Sequence, residues 1–115
     1  MNPFNNLGIR HDIVNAITEL GFSNPTPIQE QAIPVLLSGS NDFVGLAQTG
    51  TGKTAAFGLP LLELLDFEEN YPQALILCPT RELCLQITND IKNYAKNMKN
   101  VQVVAVYGGA NISDQ

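Results

Sequence analysis

Hydrophobic residues recur along this chain at two periods. In "IRHDIVNAITEL", residues 9–20, Ile9, Ile13, Ile17 and Leu20 fall at helical spacing, which predicts a helix closed by Gly21. "IQEQAIPVLLSG" predicts one or two short helical turns, broken or restarted at Pro34 and ended at Gly39. "KTAAFGLPLLELLDF" predicts a helix kinked at Pro60. "PTRELCLQITNDIKNYAKNM" predicts another, capped by Thr80, with Leu83, Ile87, Ile91 and Tyr94 as one apolar stripe. Between these lie apolar runs of strand length, "DFVGLA", "ALILC" and "VQVVAVY", and a last helix is expected to begin near Ile112.

Alternating apolar strands and helices predict an α/β fold, a mainly parallel sheet flanked by helices with right-handed crossovers. "ALILC" lacks polar alternation, as expected where both faces of a sheet are covered. The 115 residues suffice for one small domain, and 44% hydrophobic with 15% charged residues is a globular composition. No apolar run is long enough to span a bilayer, so no membrane is expected. The first residues lack the basic-then-apolar order of a secretory signal, which places the protein in the cytosol as an expectation. Cys78 and Cys84, with no His beside them, fit neither a zinc site nor a disulfide framework and are expected to be free buried thiols. The sequence stops in "GGANISDQ", where a helix is expected to start, so it reads as the front part of a longer protein.

The densest chemistry lies in "AQTGTGKT", residues 47–54, between an expected strand and an expected helix. That is the context of a phosphate-binding loop. Gly50 and Gly52 allow backbone N–H groups to turn inward, and the helix N-terminus adds its positive dipole end. Lys53 would reach the β- and γ-phosphates, and the Thr54 hydroxyl would hold magnesium. The general pattern has Gly where this chain has Ala47. A glycine-rich turn that binds nothing is the bland alternative.

Such loops serve many nucleotides. In "GFSNPTPIQ", residues 21–29, the Gln29 amide offers a donor beside an acceptor, matching the N6 and N7 edge of adenine better than guanine. Phe22 offers a face for stacking. From the residues alone two readings stay open: a base-reading stretch, or a Pro-rich turn with a core Phe and a Gln on a helix face.

Phe4, "GFSNPTPIQ", "AQTGTGKT", "PTRELCLQ" and "YGG" follow one another in order over nearly the whole chain. The series resembles the amino-terminal half of the first RecA-like domain of a DEAD-box RNA helicase. Ala47 is what that family usually carries, and Cys84 stands where it more often has Ala. The resemblance implies a RecA-like P-loop fold, with residues 1–40 as a helical segment bearing the Q motif and 41–115 as the first part of the ATP-binding domain. It implies that Gln29 reads the adenine of ATP, that Phe22 stacks on it, that Thr26 supplies a loop hydroxyl that helps place it and that Phe4 is the isolated upstream aromatic that supports this motif. Gln48, Thr49, Gly50, Thr51, Gly52, Lys53 and Thr54 become the ATP and Mg2+ site, with Lys53 and Thr54 catalytic and Thr54 the metal ligand. Pro79, Thr80 and Arg81, together with Gly108 and Gly109, would lie along an RNA backbone.

Net charge changes that picture only in part. At −5 the chain has no basic footprint. Backbone amides, helix N-termini and a few Arg can still position a sugar-phosphate strand without reading its sequence. Lys92, Lys96 and Lys99 share a helix face and read as solvated, and His11 carries no assigned role. The chain holds no "DEAD" or "SAT" stretch, and a second RecA-like domain is an expected partner beyond it. These residues alone are therefore expected to be catalytically inactive, and an exposed sheet edge would favour self-association. The alternatives are a P-loop enzyme that does not act on RNA, such as a small-molecule kinase, and a non-catalytic nucleotide- or RNA-binding module.

Overall fold

Capping side chains and backbone reversals set the helix boundaries. The computed structural model describes residues 2–39, 42–47, 52–66 and 68–108. A 3-10 helix, Pro3–Leu7, opens at Asn2, whose side chain accepts from the Phe4 N–H. Helix α1 spans His11–Glu19 and α2 spans Pro27–Ser38, the latter entered through Thr26 and left through Gly39 at φ 66°. Helices α3, Lys53–Glu63, and α4, Arg81–Tyr94, follow. The expected last helix near Ile112 lies outside the described residues.

α2 runs unbroken through Pro34, against the expected interruption. Proline there removes one hydrogen bond to the Glu30 carbonyl. Both residues lie on the exposed side, so water can satisfy that carbonyl, while Gln29, Ala32 and Ile33 on the other side are buried. Packing and caps at both ends outweigh the local penalty.

The helices share one core. Phe4, Ile13, Ile17, Ile33, Leu59 and Leu62 are fully buried, each contributing about 1.5–3 kcal/mol of apolar transfer. α2 packs most extensively on α3, and α4 packs on both α3 and α1. Residues from the first forty positions and from α3 and α4 belong to the same cluster. Arg10 fastens the start of α1 to the end of α3: its Nε donates to Glu63 Oε2 at 3.0 Å and its backbone N–H donates to Glu63 Oε1. Lys96, in the turn after α4, pairs with Glu19 at the end of α1.

The expected sheet is not formed among the described residues, where no strand is present. The segments 42–47, 74–78 and 101–107 carry no regular structure, yet burial alternates with period two through 101–107, as in an extended chain lying on a helical layer. Ile76, Cys78, Val101 and Val103 pack against the core. Val44, Leu46, Leu75, Leu77, Val104 and Val106 are 63–91% exposed. The helical layer covers one face of segments 74–78 and 101–107 and leaves the other bare, and a ladder needs partners that these stretches do not supply to each other here.

α4 also carries an electrostatic strain. Burial raises the Asp90 carboxyl above its ordinary 3.8. Burial, and then the charge of Asp90, push the Tyr94 hydroxyl up to about 12. A carboxyl raised by folding favours the fold fully below its unfolded value and loses that contribution as pH rises through the raised value. Asp90→Asn is therefore expected to stabilise the protein at pH 7 by roughly 0.5 kcal/mol or less, since solvent screens a half-buried group. Urea denaturation should show the gain vanish once the pH falls below 3.8.

Candidate functional site

The turn into α2 and the turn into α3 meet. Thr26 caps α2 in a reciprocal box: its Oγ1 accepts from the Gln29 N–H at 3.4 Å, and Gln29 Oε1 accepts from the Thr26 N–H at 2.9 Å. The Gln29 Nε2 then donates to the Gly52 carbonyl at 3.1 Å, across 23 residues of sequence. Gln29 is 2% exposed, the one buried polar residue among those described. Its amide retains one N–H and one acceptor lone pair beyond these bonds.

Gly52 is the N-cap of α3 at φ 82°, a left-handed conformation that disfavours any side chain. A Cβ there would overlap Gln29 Nε2 and sit 3.3 Å from Thr26 Oγ1. α3 has no side-chain cap and no acidic residue in its first turn. The positive dipole end of the helix lies there, and Lys53 and Thr54, its first two residues, stand at that end. Lys53 is exposed and Thr54 half-buried. This chemistry fits a phosphate group. Gln48, Thr49, Gly50 and Thr51 lie outside the described residues.

Phe22 is half-buried in an aromatic group. Its ring centroid lies 6.2 Å from that of Phe4, tilted by 41°, and 6.0 Å from that of Tyr94, edge to face at 65°. Asn2 fixes its backbone by donating to the Phe22 carbonyl at 2.8 Å. Asn2 and Tyr94 are the positioning residues that sequence reading missed. The Asn2–Pro3 pair was a visible cap signal, whereas nothing local pointed from Tyr94 to Phe22.

A second cluster forms at the start of α4. Thr80 caps the helix, its Oγ1 accepting from the Leu83 N–H at 3.1 Å. Arg81 places its guanidinium carbon 4.8 Å from the ring centroid of Tyr107, a cation–π contact. Pro79, Thr80, Arg81 and Gly108 are all exposed, and the Arg81–Tyr107 contact joins the two stretches. Gly109 lies outside the described residues. Cys78 and Cys84 are free and half-buried, less enclosed than expected. No group of three or more His, Cys, Asp or Glu side chains able to hold a metal occurs among the described residues.

Comparison with known proteins shows the family. A family model described as "DEAD/DEAH box helicase" matches residues 26–115. The ATP-dependent RNA helicase DeaD of Escherichia coli (strain K12) is 51% identical over 106 residues, covering 92% of this chain and 17% of that protein. The ATP-dependent RNA helicase CshA of Listeria monocytogenes is 48% identical over all 115 residues, 22% of its own length. The chain thus spans about a fifth of these relatives. Among solved structures, a DEAD box protein from Methanococcus jannaschii superposes with a TM-score of 0.90 at 42% identity, over 96% of this chain and 30% of that one. Dbp5 of S. cerevisiae bound to RNA and ADP BeF3 matches with a TM-score of 0.80 at 37% identity, over 84% and 25% respectively.

Proposed function

Because the chain belongs to the DEAD/DEAH box helicase family, we propose that it is the ATP-binding front part of an ATP-dependent RNA helicase. The observation that carries this reading is the hydrogen bond from Gln29 Nε2 to the Gly52 carbonyl. It joins the stretch suited to adenine to the helix start suited to phosphates. In this reading Gln29 has two tasks. It braces the loop through Thr26 and Gly52, and its remaining donor and acceptor face the N6 and N7 edge of adenine, with Phe22 supplying a stacking surface. Gln48 to Thr51, with Gly52, Lys53 and Thr54, would hold the triphosphate, and the Thr54 hydroxyl would ligate Mg2+. Bound Mg2+ would supply neutralisation of the phosphate charge.

Pro79, Thr80, Arg81, Gly108 and Gly109 would follow an RNA backbone independently of its sequence. The exposed capped start of α4 and the guanidinium fixed over Tyr107 support this at a net charge of −5. The relative Dbp5, solved with RNA and ADP BeF3, carries both ligand classes. We further infer a parallel RecA-like sheet built on segments 42–47, 74–78 and 101–107, a boundary near residue 40, a second RecA-like domain as partner and a cytoplasmic location. The bare aliphatic side chains support self-association of this stretch in isolation.

RNA-stimulated ATP hydrolysis and duplex separation by the full-length protein test the proposal. Both are expected there, with neither in residues 1–115 alone, which should sediment as oligomers. A full-length protein whose ATP turnover ignores RNA would favour the P-loop enzyme of another class.

A further inference from the structure

Phe22 is held at both of its backbone polar groups, from two different directions. Helix α1 ends in a Schellman turn: Gly21, at φ 95°, donates its N–H to the Thr18 carbonyl at 3.0 Å, and the Phe22 N–H donates to the Ile17 carbonyl at 3.0 Å. The Phe22 carbonyl is taken by Asn2, twenty residues earlier, whose Nδ2 donates to it at 2.8 Å. The same Nδ2 donates to Thr18 Oγ1 at 3.0 Å, and Thr18 Oγ1 donates on to the Val14 carbonyl at 2.7 Å. Asn2 Oδ1 meanwhile accepts from the N–H of Phe4, whose fully buried ring stands against that of Phe22. One side chain thus fixes the entry of the 3-10 helix, the end of α1 and the backbone of Phe22. Capping alone does not account for it, because a Ser or Thr caps as well but has a single donor for these two acceptors.

We propose that Asn2 is a specificity-determining positioning residue: it aims the Phe22 ring at the base, and so sets the preference for a nucleoside triphosphate over a bare triphosphate. The inference rests on the function proposed above, in which Phe22 stacks on adenine.

Stacking depends on the plane of the ring, and a ring on a loose backbone must be ordered at each binding event, which lowers affinity. Here the Schellman turn and Asn2 complete that ordering on folding. The three side-chain bonds of Asn2 go to Phe4, Thr18 and Phe22, and none touches the start of α3, where the phosphates are proposed to lie. Losing Asn2 therefore affects the base end of the site and spares the phosphate end.

The test is titration calorimetry on the full-length protein with Mg2+ and two ligands, a non-hydrolysable ATP analogue and inorganic tripolyphosphate. Two variants separate capping from aiming. Asn2→Ser keeps a capping oxygen but loses the reach to Phe22. Asn2→Asp keeps the shape and the capping oxygen, and replaces the donor with an oxygen that repels the Phe22 carbonyl. In both, affinity for the ATP analogue is expected to fall about fivefold, the worth of about one hydrogen bond, while affinity for tripolyphosphate stays unchanged. Equal falls for the two ligands would mark a merely structural role and overturn the inference, as would an unchanged affinity for the ATP analogue in both variants. A wild type that binds the ATP analogue no more tightly than tripolyphosphate would overturn it in a distinguishable way, by removing the base-reading function on which it rests.

Discussion

Lys53→Ala is expected to leave the four helices intact and to lower ATP affinity by about 100-fold, as two charge-assisted bonds to phosphate are lost at about 1.5–3 kcal/mol each with partial compensation. Lys53 is exposed at the first position of α3, and among the described residues it makes no ion pair. Its charge is therefore uncommitted, beside a helix end that carries neither a side-chain cap nor an acidic residue. Alanine is the best helix former, so α3 should not suffer. Circular dichroism would check the helices, and titration with a fluorescent ATP analogue would read the affinity. An affinity within threefold of the wild type would show that the phosphates do not lie at this helix end.

Local patterns proved legible and distant contacts did not. The periodicity of α1 and α4 and the Thr80 cap were visible because each depends on residues three or four apart. Pro34 misled because its cost is fixed locally, whereas what keeps α2 whole is burial against α3 and exposure of the Glu30 carbonyl side. The three apolar segments were recognisable as extended, but pairing is a relation between segments. Within these residues the helices supply only one covering face.

The candidate site divides in the same way. "GTGKT" and "NPTPIQ" announce a phosphate loop and a capped helix from within their own few residues. The Gln29–Gly52 bond spans 23 positions, and the Arg81–Tyr107 contact spans 26. Only the packing of α2 on α3, and of segment 101–107 near α4, brings those partners together. The sequence resemblance supplied the expected roles; the fold supplies the reason that one glutamine both caps α2 and reaches the start of α3.

That double engagement makes Gly52→Ala the most damaging single change expected in the described part of the site. Two penalties add. A left-handed φ of 82° costs a non-glycine residue about 1–2 kcal/mol. The new Cβ also collides with the Gln29 amide, so that side chain must leave the Gly52 carbonyl and strain the capping box, adding about 1 kcal/mol. Urea denaturation should show a total loss of roughly 2–3 kcal/mol, with a matching fall in nucleotide affinity. The two penalties separate in a double-mutant cycle. Gln29→Ala alone forfeits the bonds to Thr26 and Gly52, about 1–2 kcal/mol, but it removes the group the new methyl strikes. The double variant should therefore be destabilised by about 1 kcal/mol less than the sum of the singles, leaving the conformational penalty of residue 52 unrelieved. Strict additivity would mean that Gln29 does not contact Gly52 in solution, and that the helix cap and the phosphate loop are independent.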